Sequence, residues 1–150
     1  MAILRSGYKL RNFGLLLLRV GIGIMFILHG WPKLAGGPAR WEAIGNSMGV
    51  FGIGFAPVFW GFMAGFAEAV GGFLILLGFF FRPACILLLL TMLVATTKHM
   101  VAGDGFGGYS HALEAAILFL SLLFIGPGKY SLDSKVFPKD KGRRTRKYFA

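Results

Sequence analysis

The chain has 150 residues, 56% of them hydrophobic, and a formal net charge of +10 at pH 7. Soluble domains are about 45–50% apolar, so this composition excludes an ordinary soluble protein and indicates an integral membrane protein. A single cysteine, Cys85, excludes an internal dithiol relay, a Cys-x-x-Cys haem attachment and a cysteine-rich iron–sulfur site.

Four apolar stretches are each long enough to span the membrane as a helix, which takes roughly 20 residues. They cover residues 12–30, 57–80, 83–101 and 110–126. This leaves no room for a separate soluble domain, so we expect an all-α integral membrane four-helix bundle. The bundle occupies residues 1–133, and a basic cytoplasmic tail occupies residues 134–150.

The first stretch follows Arg5, Lys9 and Arg11, as the apolar region of a signal peptide follows basic residues. However, it continues to Lys33 without a small-residue cleavage site, and Arg19 interrupts its apolar run. We therefore interpret it as a retained helix.

The connections between the stretches differ in character. Residues 31–56 are too short and too glycine-rich to span, which predicts a short interfacial or re-entrant segment. Pro83 suits the first position of the third helix and predicts a tight hairpin with the second. Residues 103–109 contain four glycines, so we expect them to be irregular.

Basic residues indicate the topology. If the helices alternate, Arg5, Lys9, Arg11, Arg82 and eight basic residues between 129 and 147 fall on one side. The positive-inside rule then predicts that both termini are cytoplasmic. We expect the tail to contact anionic lipid, and we do not expect the chain to bind nucleic acid.

Four ionisable residues lie inside the predicted spans, where charge is costly and usually functional or paired: Arg19, Glu68, His99 and Glu114. Arg19 and Glu68 each share a helix face with glycines, so both are predicted to point into the bundle. Counted along the helices, their depths nearly match. One interpretation is an Arg19–Glu68 ion pair that only holds two helices together, and the other is that one of them contacts a substrate or relays a proton.

A second polar group gathers toward the opposite, outer side. It consists of His29, Lys33, Lys98, His99, His111 and Glu114. Histidines titrate near neutral pH, so this group could form a proton-handling or quinone-binding pocket. Alternatively, these histidines only cap helix ends. None has an i, i+4 ligand partner, so we expect no metal site.

These residues, taken in order, resemble the DoxX family of four-helix membrane proteins. The resemblance covers roughly residues 13–133. It is carried by Leu17-Leu18-Arg19-Val20-Gly21, His29-Gly30-Trp31-Pro32-Lys33-Leu34, Ala67-Glu68-Ala69-Val70-Gly71-Gly72, Leu77-Gly78-Phe79, Arg82, Met92, His99, Glu114 and Gly126-Pro127-Gly128-Lys129-Tyr130-Ser131-Leu132-Asp133.

The resemblance implies a multi-pass protein of the bacterial inner membrane. The superfamily includes a subunit of an archaeal thiosulfate:quinone oxidoreductase, and relatives are tied to a membrane-associated oxidoreductase complex that protects against oxidative and thiol stress. We therefore expect a redox-associated subunit that binds a quinone or a small sulfur compound in the bundle. Expected partners are lipid, other membrane or redox proteins, and further copies of the chain.

In this hypothesis the catalytic residues are Glu68, His99 and Glu114. The substrate-binding residues are Arg19, His29, Lys33, Lys98 and His111. The cofactor would be a quinone. The main alternative is a non-catalytic scaffold or assembly subunit whose charges are structural, and a small transporter ranks below it because four helices make a narrow bundle.

Overall fold

The computed structural model describes residues 10–138, which fold into six α-helices and one 3-10 helix. The α-helices are α1 (Arg11–Leu34), α2 (Gly37–Gly45), α3 (Pro57–Leu77), α4 (Phe81–Val101), α5 (Gly105–Ile125) and α6 (Leu132–Val136), and the 3-10 helix is Asn46–Phe51. Four of them, α1, α3, α4 and α5, are long and apolar enough to cross a membrane. The predicted all-α membrane fold with four spans is confirmed.

Helix boundaries differ from the prediction by more than one residue at four places. α3 ends at Leu77, before the predicted end at residue 80. α1 continues four residues past residue 30, through Pro32. α4 begins at Phe81, so Pro83 is its third residue, where a backbone N–H would have no intrahelical acceptor in any case. The expectation that residues 103–109 are irregular was wrong: α5 already begins at Gly105, and the non-helical connection is residues 102–104.

The connection between α1 and α3 contains two short helices. α2 packs against α3 so closely that a Cβ on Gly45 would collide with the Pro57 carbonyl, and one on Gly61 with the Trp41 carbonyl. The 3-10 helix contacts both α3 and α4. An interfacial or re-entrant position for this segment stays a prediction.

Glycines bring α1 and α3 into contact along most of their length. Gly23 of α1 lies against Gly72, and Gly30 lies against the backbone of Glu68 and Ala69. Because the residue numbers on α3 fall as those on α1 rise, the two helices are antiparallel. The predicted small-residue faces are therefore helix–helix contacts, and they set the register of every polar group between these helices.

The apolar core lies mainly between α3, α4 and α5. Its fully buried side chains are Ile75, Phe81, Ala84, Cys85, Leu88, Phe119 and Leu122. α1 contributes Phe26, whose ring meets Phe119 edge-on at a centroid distance of 4.8 Å. The lone cysteine is a buried free thiol in this core.

The bundle has two ends, which we name by their residues. The terminal end contains residues 10–12, 78–83 and 126–138, and the loop end contains residues 33–57 and 98–105. At the terminal end, the Asp133 carboxylate accepts hydrogen bonds from the backbone N–H groups of Phe80 and Phe81, both at 2.9 Å. The Asp133 N–H donates to the Gly78 carbonyl at 2.9 Å, so the segment after α5 is fastened to the α3–α4 turn.

The predicted topology and tail fall partly outside this description. Arg5, Lys9 and residues 139–150 of the basic tail lie outside the described residues. The cytoplasmic position of both termini and the contact of the tail with anionic lipid stay predictions.

Candidate functional site

A buried ion pair joins α1 to α3 near the loop end. Lys33 Nζ donates to both carboxylate oxygens of Glu68, at 2.7 Å each. The Glu68 side chain is 3% exposed, whereas that of Lys33 is 32% exposed. The carboxylate is therefore enclosed, while the lysine side chain that neutralises it is partly exposed.

The direction of the helices explains why these two residues meet. Side chains on a helix lean toward its N-terminus. Because α1 and α3 are antiparallel, Lys33 leans toward the terminal end and Glu68 leans toward the loop end. Gly30, one turn before Lys33, lets the α1 backbone touch Glu68 directly, so the lysine needs only its own length to reach the carboxylate.

Trp41 of α2 fixes the helix end that carries the lysine. Its indole Nε1 donates to the carbonyl oxygens of Lys33 at 2.9 Å and of Leu34 at 3.2 Å. The last carbonyls of a helix have no intrahelical partner, and the indole supplies a donor to two of them. The Lys33 carbonyl also accepts from the Gly36 N–H at 3.2 Å. Gly61 makes room for the Trp41 backbone against α3.

An apolar groove runs beside this pair between α1 and α3. It has a volume of about 240 Å³. It is lined by Ile27, Trp31, Leu34, Ala69, Val70 and Phe73. Two of these, Leu34 and Ala69, directly follow the paired lysine and glutamate in the chain, so the groove and the pair are neighbours although the groove does not include the carboxylate.

Arg19 does not pair with Glu68, so the ion pair considered from the sequence is wrong. Its guanidinium is buried and donates to the carbonyl oxygens of Pro127 at 2.8 Å and Tyr130 at 2.6 Å. The Arg19 guanidinium lies against Gly78, directly after the end of α3, and not against Glu68. Ten residues of helix correspond to roughly 15 Å. Arg19 also leans toward the terminal end, away from the glutamate.

Comparison with known proteins identifies the family of this fold. The DoxX family profile matches residues 14–101, more than half of the chain. The chain belongs to the DoxX family. An uncharacterized protein of Haemophilus influenzae is 34% identical over 137 residues, covering 87% of this chain and 96% of the relative.

Further DoxX relatives are membrane proteins by name. The inner membrane protein YphA of Escherichia coli is 31% identical over 132 residues, covering 81% of this chain and 89% of its own. An uncharacterized membrane protein of Mycobacterium tuberculosis is 31% identical over 136 residues, covering 79% of this chain and 78% of its own. No solved structure matches the chain.

The remaining predicted site residues of this DoxX chain do not converge on the ion pair. His99 Nδ1 lies 2.6 Å from Asp104 Oδ2 in the α4–α5 turn. His111 and Glu114 lie 3.9 Å apart on α5, with their side chains 92% and 70% exposed. Glu114 is thus on the outside of the described bundle. The i, i+3 spacing brought it beside His111 but could not tell which face of α5 is buried.

His29 and Lys98 are likewise exposed on the surface of the bundle. Among residues 10–138, no three His, Cys, Asp or Glu side chains come together as a metal site. Of the predicted group at the outer side, only Lys33 reaches a buried carboxylate.

Sequence reasoning missed three residues that organise the polar sites: Trp41, Asp104 and Asp133. A tryptophan near a predicted membrane boundary is typical of an interfacial anchor, and nothing in the sequence pattern shows that the Trp41 indole bonds to the end of α1. The sequence around Asp133 does indicate the start of a helix. Ser131 is the N-cap of α6, its hydroxyl accepts from the Ser134 N–H, and Asp133 lies in the first turn. Its partners in α4 are about 50 residues away and have no local signal.

Proposed function

We propose that this DoxX-family protein is a redox-associated subunit of the bacterial inner membrane that binds a quinone in the α1–α3 groove beside the Lys33–Glu68 pair. Its relatives YphA and YqjF are named inner membrane proteins of Escherichia coli, which supports the location. The proposal rests on one observation: a buried carboxylate is neutralised by a lysine that stays 32% exposed next to an apolar groove.

The residues present fit a quinone better than an anionic sulfur compound. The groove is lined by apolar side chains only, which suits a neutral ring and its isoprenoid chain. An anion such as thiosulfate needs unneutralised positive charge, but the charge of Lys33 is already balanced by Glu68, and His29 and Lys98 lie on the exposed surface.

A bound quinone would supply two-electron, two-proton chemistry, with electrons exchanged by a partner redox protein. In this proposal Trp31, Val70 and Phe73 hold the ring against the helices and exclude water. Lys33 and Glu68 do not themselves line the groove, but each directly precedes a lining residue in the chain. In this proposal the Lys33 ammonium is the proton donor toward the ring, and the Glu68 carboxylate orients it. His99 contacts Asp104, and Glu114 is exposed on α5. Neither residue has a part in this proposal.

Binding can be measured through Trp31, which lines the groove, because quinones quench indole fluorescence at short range. The protein in lipid nanodiscs is titrated with a short-chain ubiquinone analogue. We expect saturable quenching in the wild type and its loss in Trp31→Phe. Val70→Phe narrows the groove and should weaken binding at least ten-fold, whereas the control Ile117→Phe, at an exposed position of α5, should not.

A purification in mild detergent complements the titration. Quinone extracted from wild type and from a folded Glu68→Gln variant is quantified by mass spectrometry, and we expect a stoichiometric amount only in the wild type. Equal, non-saturable quenching in all variants together with no co-purifying quinone would overturn the proposal.

A second candidate is the non-catalytic scaffold, and one observation favours it. Both oxygens of Glu68 are already occupied by Lys33, as expected for a pair that only fixes α1 to α3. In that case a neutral Lys33→Gln/Glu68→Gln protein would retain the same co-purifying membrane proteins as the wild type, and neither would carry a small molecule.

A further inference from the structure

A cavity lies at the terminal end, and it shares no lining residue with the groove. It has a volume of about 900 Å³ and opens between the start of α1, the start of α4 and the segment from the end of α5 through α6. Ligand pockets are typically about 300–1,000 Å³. This cavity shares no lining residue with the Lys33–Glu68 pair, and it shares only Pro127 with the contacts of Arg19.

Three cationic side chains from three separate parts of the chain line this pocket: Arg11, Arg82 and Lys129. Its described lining contains one carboxylate, that of Asp133. Both oxygens of that carboxylate already accept hydrogen bonds from the N–H groups of Phe80 and Phe81. The charges presented to a ligand are therefore predominantly positive.

Apolar side chains form the remaining wall. Leu15 contributes from α1, Ile125 from the end of α5 and Phe137 from beyond α6. A surface that combines cationic groups with aliphatic and aromatic groups matches a molecule with an anionic head and a hydrocarbon chain. At the end of a membrane-spanning bundle, such molecules are the surrounding lipids.

The walls are fixed to one another without a ligand. The Lys129 N–H donates to Asn12 Oδ1 at 3.1 Å, which ties the segment after α5 to α1. The bonds from Asp133 to the start of α4 tie the same segment to α4. A site whose sides are held in place loses less entropy when it binds.

We propose that this pocket is a specific site for an anionic phospholipid, with the headgroup phosphate between Arg11, Arg82 and Lys129 and the first part of an acyl chain against Leu15, Ile125 and Phe137. The site is separate from the basic tail, which would attract anionic lipid without holding one molecule. It is also independent of quinone binding, since it shares no residue with the groove.

Native mass spectrometry of the full chain in mild detergent tests this proposal. The protein is equilibrated with phosphatidylglycerol or, separately, with zwitterionic phosphatidylcholine. We expect one phosphatidylglycerol to remain bound per chain and phosphatidylcholine to bind at least ten-fold more weakly. In Arg11→Gln/Arg82→Gln/Lys129→Gln we expect the affinity for phosphatidylglycerol to fall at least ten-fold.

The matched control removes the same number of charges from the tail, as Arg143→Gln/Arg144→Gln/Arg146→Gln, and should change the affinity less than two-fold. Arg82→Gln and Lys129→Gln alone alter exposed side chains and should give intermediate affinities, which keeps the test valid if the triple variant folds poorly. The proposal is overturned if the tail variant loses lipid as strongly as the pocket variant, if both lipids bind equally, or if millimolar inorganic phosphate displaces the lipid and binds in its place.

Discussion

The two ends of the bundle use buried charge in different ways. At the terminal end, the buried guanidinium of Arg19 bonds to backbone carbonyls, and the carboxylate of Asp133 bonds to backbone N–H groups. At the loop end, Lys33 and Glu68 bond to each other, and one of them remains partly exposed. Charge bonded to the backbone fastens segments together, whereas a side-chain pair can exchange a proton or a partner without unfolding the chain.

Breaking the Lys33–Glu68 pair should lower the free energy of unfolding more than any other change considered. The loss should be larger when the lysine is replaced than when the glutamate is replaced. Removing one partner of a buried ion pair costs roughly 3–5 kcal/mol. We expect Lys33→Gln to reach that range because it leaves an enclosed carboxylate without its partner. We expect Glu68→Gln to cost less because the Lys33 side chain is already partly exposed. Unfolding in mild detergent, followed by tryptophan fluorescence, gives the free energies of unfolding.

The double variant Lys33→Gln/Glu68→Gln controls that measurement. The double variant leaves no unpaired buried charge, which is the main cause of the loss when one partner is removed, so we expect most of the lost stability to return. If the loss of stability in the double variant equals the sum of the losses in the two single variants, the two side chains are not coupled. In that case Lys33 and Glu68 do not form a stabilising ion pair.

At the terminal end, Arg19→Gln should cause the second-largest loss of the free energy of unfolding. Hydrogen bonds to charged groups contribute about 1.5–3 kcal/mol each, and a glutamine retains at most part of the two bonds, so we expect a loss of about 3 kcal/mol. Unlike the Lys33 variant, Arg19→Gln should leave quinone binding unchanged in the folded protein. Loss of quinone binding at normal stability would show that the two ends are coupled.

The glycine contact that supports the pair can be tested with a matched substitution on the same helix. A Cβ at Gly30 would lie within 2.7 Å of the Glu68 carbonyl carbon, whereas one at Gly21 has nothing within 4 Å. Overpacking costs about 1–3 kcal/mol, so Gly30→Ala should lower the free energy of unfolding by that amount. Gly21→Ala should be neutral or slightly stabilising; equal effects would contradict the close helix contact.

The membrane-spanning helices could be predicted from the sequence, but the contacts between segments that are distant in the chain could not. Apolar length gave the four spans, and glycine spacing gave the inward faces of Arg19 and Glu68. The partners of these residues could not be found, because the register of α1 against α3 and the return of residues 126–133 depend on tertiary contacts. Counting depth along each helix ignored the opposite lean of side chains on antiparallel helices, which decides that Glu68 meets Lys33 and that Arg19 does not.

The smallest expected change in the free energy of unfolding comes from replacing an aspartate at either end, Asp133 or Asp104. Asp133 accepts from two N–H groups at the start of α4, while Asp104 precedes α5 without a side-chain cap and contacts His99 instead. Losing a helix cap costs about 0.5–2 kcal/mol. Asp133→Ala should therefore lower the free energy of unfolding by 1 kcal/mol or so and speed hydrogen exchange at Phe80 and Phe81.

For Asp104→Ala we expect a change of less than about 0.5 kcal/mol, as for other substitutions at exposed sites, and no change in exchange at Phe80 and Phe81. The distinction between the two ends fails if both alanine variants lose the same stability, because a carboxylate bonded to the backbone would then contribute no more than one bonded to a surface histidine. If only Asp133→Ala also weakens phosphatidylglycerol binding, the fastening of α6 to α4 is what keeps the lipid pocket assembled.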